Sequence, residues 1–130
     1  DFDHTFNLIG YDVRSRQVKP GATVEVITYW RITSITNKEL VLFTHVLSGQ
    51  PDRPVLAQQD ALDVPSWYWI PGDAFAQVHR FVIPPTAAPG DYPLEVGAYT
   101  LRDQQRVMVY DEAGDPIGDY ILIGSITVVP

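Results

Sequence analysis

Three consecutive aromatic residues, Trp67, Tyr68 and Trp69, lie in a Pro-flanked stretch without regular hydrophobic periodicity. Flat aromatic faces bury the C–H surface of sugar rings, and indole and hydroxyl groups supply hydrogen bonds. The three residues are therefore a candidate carbohydrate-binding site. The alternative is structural, with Trp69 filling one end of a core and Trp67 covering an edge. The Pro71-Gly72 turn that follows favours the structural alternative for Trp69.

The acidic stretch near the C-terminus offers Asp111, Asp115 and Asp119 as candidate metal ligands. Calcium takes about six to eight oxygen ligands in a close array. The stretch lacks the D-x-D-x-D-G spacing of a calcium loop, and Pro116 interrupts it. We therefore favour a solvated hairpin with Gly114 at its turn, and we expect no bound metal.

The histidines, at positions 4, 45 and 79, lie on separate segments without the spacing of a helical or hairpin metal motif. His45 alternates with Phe43 and Leu47, so it shares a face with apolar residues. Histidine in that setting is more often a hydrogen-bonded buried residue than a metal ligand. A site that combined His45 with His79 would need their two strands to be adjacent.

Motifs for catalysis are weak. Ser125 follows Gly124 without a G-x-S-x-G elbow, and the chain contains no cysteine. Phosphate loops and dinucleotide-binding motifs are absent, so no cofactor is expected. Carboxylates for glycoside hydrolysis are present, but no pair is marked out. We predict that the chain is not an enzyme, and the alternative is a hydrolase whose groups converge only in three dimensions.

The elements that must position these residues are strands, because apolar and polar residues alternate repeatedly and helical periodicity is almost absent. Strands are predicted over residues 6–13, 23–32, 39–47, 55–59, 75–83, 92–101, 105–110 and 120–129. At most one helical turn is expected, at Ala61-Leu62-Asp63. Roughly seven to nine short strands between turns are typical of an all-β, immunoglobulin-like antiparallel sandwich.

Tyr92 follows the turn Pro89-Gly90-Asp91 at the start of a late strand. A tyrosine at that place forms the tyrosine corner of immunoglobulin-like domains, where its hydroxyl bonds to the backbone upstream. The alternative is an ordinary core tyrosine after a turn.

Composition excludes several partners. The formal net charge is −7, from 9 basic and 16 acidic residues, which opposes binding to nucleic acid or to anionic lipid. The longest aliphatic and aromatic run is Leu40-Val41-Leu42-Phe43, too short for direct membrane insertion. The length predicts a single domain over residues 1–130, and the start at Asp1 indicates a piece of a longer protein.

A set of turn and core motifs occurs in an order that resembles a known module. In chain order the motifs are Pro20-Gly21, Tyr29-Trp30, Phe43-Thr44-His45-Val46-Leu47, Trp69 with Pro71-Gly72-Asp73, Pro89-Gly90-Asp91-Tyr92, Val96-Gly97-Ala98-Tyr99, Gly118-Asp119 and Leu122 with Gly124. Together they resemble the C-terminal, extracytoplasmic β-sandwich module of bacterial multi-pass membrane glycosyltransferases of the mannosyltransferase type. Thr28 departs from that pattern, which has an aliphatic residue there, and Gln104 and Gln105 replace acidic or glycine residues.

The resemblance implies a non-catalytic accessory or interaction domain of a larger bacterial membrane or cell-surface protein, on the extracytoplasmic side. Its partners would be domains of the parent protein or a cell-envelope glycan. The transferase chemistry would belong to the membrane part. Three alternatives stay open: a carbohydrate-binding module that uses Trp67-Tyr68-Trp69, an uncharacterised hydrolase, and self-association through an exposed edge strand.

Overall fold

Ten β-strands and one short 3-10 turn make up the fold. The computed structural model describes the backbone of residues 1–130 and every side chain except that of Arg53. The strands are β1 (Phe6–Arg14), β2 (Gln17–Val18), β3 (Thr23–Ile32), β4 (Leu40–Gln50), β5 (Arg53–Asp60), β6 (Ala74–Val82), β7 (Gly90–Thr100), β8 (Val109–Tyr110), β9 (Pro116–Gly118) and β10 (Ile121–Val128). The 3-10 turn is Ser66–Tyr68.

The strands form two facing sheets and a small hairpin. One sheet has the antiparallel order β1-β3-β6, and the other has the order β2-β10-β7-β4-β5, in which only β2 runs parallel to its neighbour. Strands β8 and β9 pair with each other. This arrangement is that of an immunoglobulin-like sandwich, so the predicted fold class is confirmed. The structure has ten strands rather than seven to nine because β2 and β9 are too short to give a periodic signal.

The core lies between the two sheets in two apolar clusters. Strand β3 shows the alternation that builds them, because Val24, Val26, Thr28 and Trp30 all point inward and are buried. One cluster joins the valines of β3 to apolar residues of β4, β7 and β10. The other surrounds Trp30. Burial of each large apolar side chain contributes about 1.5–3 kcal/mol.

Thr28 is a polar residue in this core, at the position where the resembled family has an aliphatic one. Its hydroxyl accepts a hydrogen bond of 2.7 Å from the Trp30 Nε1–H. An unpaired indole N–H in the core would cost about 1–3 kcal/mol. The Thr28 hydroxyl, which departs from the family pattern, therefore supplies the acceptor that the buried Trp30 N–H needs.

The helical turn predicted at Ala61-Leu62-Asp63 is wrong. The Ala61 N–H donates to the Leu42 carbonyl at 2.9 Å, so the chain still pairs with β4 just beyond the end of β5. The single turn forms later, where the Tyr68 N–H bonds to the Pro65 carbonyl at 2.9 Å. Proline fixes the backbone angle that starts such a turn.

Ser125 lies at a bulge of β10, where pairing with β7 is interrupted between Leu122 and Ser125. The Arg16 guanidinium donates to the carbonyls of Ile123 and Ser125, both at 3.3 Å. Gly124 leaves room for this guanidinium, because a Cβ at that position would lie 2.6 Å from the nearest Arg16 nitrogen. The backbone around Ser125 is thus held by Arg16.

The tyrosine corner at Tyr92 is confirmed. Tyr92 lies near the start of β7. Its hydroxyl donates a hydrogen bond of 2.5 Å to the carbonyl of Ala88, four residues upstream. The ring packs against the first core cluster. The corner therefore fixes the β6–β7 connection, residues 83–89, against the end of the sandwich.

Removing the Tyr92 hydroxyl should destabilise the fold. Tyr92→Phe keeps the ring but loses the bond to Ala88, so we expect the free energy of unfolding to fall by about 0.5–1.5 kcal/mol in urea denaturation. Tyr110→Phe is the matched control, because no hydrogen bond of the Tyr110 hydroxyl occurs among the described residues. Equal losses in the two variants would contradict a stabilising corner.

Candidate functional site

The connection from β5 to β6, residues 61–73, carries all three aromatic residues of the candidate site; we call it the crossover. Trp69 is 4% exposed and packs against the rings of Phe6 and Phe75, with centroids 5.0 and 5.4 Å away. Its Nε1–H donates to the Val64 carbonyl at 2.9 Å. Trp69 is therefore a core residue that anchors the crossover, as the structural alternative expected, and its ring is closed to a ligand.

Trp67 and Tyr68 project into solvent from the 3-10 turn, with 59% and 68% of their surfaces exposed. Ser66, which begins the turn, is buried; its hydroxyl donates to the Lys38 carbonyl at 2.6 Å and accepts from the Leu40 N–H at 3.0 Å. Two backbone groups at the start of β4 therefore hold the turn. The two exposed aromatics are presented on a fixed support.

A cavity of about 190 Å³ lies beside Trp67; we call it the Trp67 hollow. Its apolar walls include Leu62, Pro65, Trp67 and Leu101, and its charged groups are Glu39 and Asp60. The volume is below the roughly 300–1,000 Å³ of clefts that enclose a small ligand. The hollow therefore suits a single ring that lies against the surface.

Three connections meet at the hollow. Glu39 ends the β3–β4 connection, Trp67 belongs to the crossover, and Leu101 follows β7 and donates its N–H to the Glu39 carbonyl at 2.9 Å. In immunoglobulin variable domains, the corresponding end of the sandwich carries the binding loops. The hollow thus occupies the end of this architecture at which variable domains bind their ligands.

Asp60 connects the hollow to a group of side chains on the outer face of the five-stranded sheet, which we call the outer-face cluster. Its members are Phe43, His45, Asp60, Glu95, Tyr99, Arg106 and Asp119. The Asp60 carboxylate meets His45 Nε2 at 3.0 Å through Oδ1 and accepts from the Tyr99 hydroxyl at 3.0 Å through Oδ2. Both oxygens thus have a partner that fixes the orientation of the carboxylate.

Both ring nitrogens of His45 face carboxylates, because Nδ1 lies 3.2 Å from Glu95 Oε1 and Nε2 faces Asp60. His45 is buried and hydrogen-bonded, as its alternation with apolar residues predicted. The two nitrogens point in different directions, so the ring and the two carboxylates do not converge on one point. Among the described side chains, no group of three or more His, Asp or Glu is placed to hold a metal ion.

Glu95 is a carboxylate with only 4% exposure, and Arg106 is its cationic partner. The Arg106 guanidinium donates to Glu95 Oε1 at 2.9 Å, lies 3.6 Å from Asp119 Oδ1 and sits 4.4 Å from the centre of the Phe43 ring. A buried carboxylate without a partner would be strongly destabilising. Arg106 therefore ties the connection after β7 to the sheet face.

Tyr99 completes the cluster as a neutral hydroxyl. Burial, together with the hydrogen bond to Asp60 and the charge of that carboxylate, raises the pKa of Tyr99 to about 12. The phenol therefore keeps its proton at neutral pH and acts as a hydrogen-bond donor. The cluster is a network of hydrogen bonds and ion pairs in which both Asp60 and Glu95 have partners.

The acidic residues near the C-terminus belong to or flank the β8–β9 hairpin. Asp111 Oδ1 accepts from the N–H groups of Ala113 and Asp115 at 3.0 and 2.9 Å, and Gly114 takes the left-handed backbone conformation, with φ of 84°. Asp119 faces Arg106 instead. The favoured hairpin, with Gly114 at its turn, is therefore what the structure shows for this stretch.

The other two histidines lie apart from His45. His79 is on β6, in the opposite sheet, and points into the core. His4 is exposed, pairs with Asp1 at 3.0 Å and stacks on the ring of Tyr110. The adjacency that a site of His45 with His79 would need is not formed.

Sequence reasoning missed Asp60, Glu95, Tyr99 and Arg106. One signal was available, because Glu95 stands between Leu94 and Val96 in a nearly continuous apolar run. A charge at such a place needs a partner. The sequence did not identify Arg106 as that partner, since Arg106 lies outside the strand that carries Glu95.

The sheet order defines the chain as an immunoglobulin-like β-sandwich domain. No protein-family model and no curated protein matches it. Among solved structures it is similar to the C-terminal domain of wzt, with a TM-score of 0.59 and 15% identity over 97% of this chain and 74% of that chain. It is also similar to a part of β-glucuronidase 2 from Bacteroides uniformis, with a TM-score of 0.51 and 16% identity over 87% of this chain and 13% of that chain.

These likenesses show a shared fold. The narrower resemblance to glycosyltransferase-associated modules stays a prediction. Within the described residues, no helix has the length and apolar character needed to cross a membrane.

Gly97 is required for the packing of the outer-face cluster. A Cβ at this position would lie 2.4 and 2.7 Å from two atoms of the Phe43 ring, which is itself buried and stacked on His45 at 4.4 Å. We expect Gly97→Ala to lower the free energy of unfolding by about 1–3 kcal/mol, measured by urea denaturation. Gly10→Ala is the control, since its Cβ would make an ordinary contact of 3.6 Å with Tyr29. A Gly97→Ala variant with the stability of the wild type would contradict the close packing of the Phe43 ring on Gly97.

His79 should make stability depend on pH. Its Nε2 lies 2.9 Å from the Ala61 carbonyl and Nδ1 lies 2.7 Å from the Thr44 hydroxyl, so the neutral ring donates through Nε2. Burial lowers the pKa of His79 below its ordinary value of 6.5. The unfolded chain then binds the proton first, so stability present above about pH 6.5 is lost as the pH falls through the lower, folded-state value.

We therefore expect the free energy of unfolding to be smaller at pH 5.5 than at pH 7.5, as measured by urea denaturation. His79→Gln keeps a donor toward Ala61 and should show a weaker dependence over this range. His4→Gln, at an exposed position, should follow the wild type. Parallel curves for wild type and His79→Gln would contradict the assignment.

Proposed function

We propose that the chain is a non-catalytic accessory domain that binds a glycan of the bacterial cell envelope through the Trp67 hollow. It would do so as part of a larger protein, on the extracytoplasmic side, as the motif resemblance implies. The observation that carries the proposal is an exposed indole held by Ser66 beside a hollow with two carboxylates. An aromatic face with a few convergent polar groups is the usual means of binding a sugar ring.

Two further observations support binding rather than catalysis. Asp60 and Glu95 are engaged in hydrogen bonds and ion pairs, and the Tyr99 hydroxyl donates its hydrogen bond to Asp60. A similar sandwich also forms 13% of a β-glucuronidase chain, so this fold occurs as a minor part of a carbohydrate-active enzyme.

Replacement of Trp67 should remove glycan binding. Trp67→Ala deletes the stacking face and should weaken binding about tenfold, because an aromatic contact is worth up to about 1.5 kcal/mol. Calorimetry with a glycan selected on an array measures the affinity. Intrinsic fluorescence gives a second readout, since Trp30 and Trp69 are buried and Trp67 is exposed.

Tyr11→Ala is the matched control, because Tyr11 is an exposed aromatic on β1 of the other sheet. This variant should bind as the wild type does. Binding that survives in Trp67→Ala, or a wild type that binds no glycan, would reject the proposal. Release of reducing ends from a bound glycan would show that the domain is an enzyme.

A further inference from the structure

We infer that the Trp67 hollow accepts neutral or amino sugars and excludes uronic acids. This inference rests on the proposed glycan binding and narrows the ligand to a chemical class. Its basis is the sign of the charges that line the hollow. Both charged side chains of its lining, Glu39 and Asp60, are carboxylates.

Of the two carboxylates, Glu39 has fewer contacts within the protein. Its side chain is exposed, and among the described residues no hydrogen bond or ion pair involves its carboxylate. An ionised carboxylate has only acceptor positions, so it can receive hydrogen bonds from sugar hydroxyl or ammonium groups. Toward a second carboxylate it offers no donor.

Asp60 is held in a fixed orientation by His45 and Tyr99, one partner on each oxygen. Each carboxylate oxygen has two acceptor positions, so each can still accept one more hydrogen bond. A hydroxyl or amino group of a sugar on Trp67 would supply it. A uronate in the same place would bring two acceptors together without a proton between them.

Two of the nearby cations are paired outside the hollow. Lys38 Nζ bonds to Asp3 at 2.7 Å, and Arg106 pairs with Glu95. Arg102 is exposed and lies outside the hollow, where it lines a neighbouring cavity together with Lys38, Glu39 and Asp103. None of the described basic side chains lines the Trp67 hollow, so an anionic sugar would find no counter-charge there.

Coulomb repulsion between like charges a few ångströms apart at a protein surface corresponds to roughly a tenfold loss of affinity. We therefore expect uronic forms of a bound glycan to bind about tenfold more weakly than the neutral form, and amino forms to bind at least as well. Because exposed charges are screened, raising the salt from 50 mM to about 500 mM should reduce this discrimination.

The test is an array that carries neutral, amino and uronic forms of the same glucan, mannan and galactan backbones. Calorimetry then follows with the backbone that binds best. Preference for the neutral and amino forms supports the inference. Binding of the uronic form with equal or higher affinity overturns it and leaves the proposed function standing, whereas binding of no form rejects the proposed function itself.

Glu39→Gln checks that the exclusion arises at this hollow. It removes one exposed negative charge, and we expect the neutral-to-uronic affinity ratio to fall about threefold. Glu112→Gln, an exposed acid on the β8–β9 hairpin that does not line the hollow, is the matched control and should leave the ratio unchanged. Asp60→Asn should act as Glu39→Gln does, but it also alters the contact with His45. An unchanged ratio in Glu39→Gln would overturn the inference.

Discussion

Hydrogen bonds from three buried side chains to the backbone of the crossover decide where Trp67 lies. His79 Nε2 donates to the Ala61 carbonyl at 2.9 Å, and Gln77 Oε1 accepts from the Asp63 N–H at 2.7 Å. The Trp69 Nε1–H donates to the Val64 carbonyl. Each of these hydrogen bonds contributes about 0.5–1.5 kcal/mol to stability. The crossover is therefore held in one conformation, and an aromatic presented on it loses little freedom when a ligand binds.

The outer-face cluster imposes a second constraint, because Glu95 places a buried carboxylate where the sheet would otherwise be apolar. Arg106 forms an ion pair with this carboxylate, and its guanidinium packs on the face of the Phe43 ring. Gly97 provides the space for that ring. The centre of the sheet face is thus closed by paired side chains, and the Trp67 hollow lies at the loop end, where Asp60 joins the two regions.

Local patterns were enough to predict the larger elements. Alternation revealed the inward face of β3, and Pro89-Gly90-Asp91 before Tyr92 predicted the tyrosine corner. Strands of two or three residues, such as β2 and β9, give no periodic signal, and the helical turn was misplaced because Ala61 continues to pair with β4. His45 was predicted to be buried and hydrogen-bonded, but its partners were not identified, since Glu95 lies 50 positions away.

The sequence by itself determined the all-β class, the immunoglobulin-like layout and the aromatic stretch from which a site would be built, because these depend on residues near one another along the chain. Only the tertiary structure decided that Trp69 is in the core while Trp67 is exposed, and that Asp60 and Glu39 flank the exposed ring. Tyr99 and Asp60 are 39 positions apart and meet only because β7 and β5 both pair with β4. The registers of those pairings arise from packing across the whole sandwich, which no local pattern encodes.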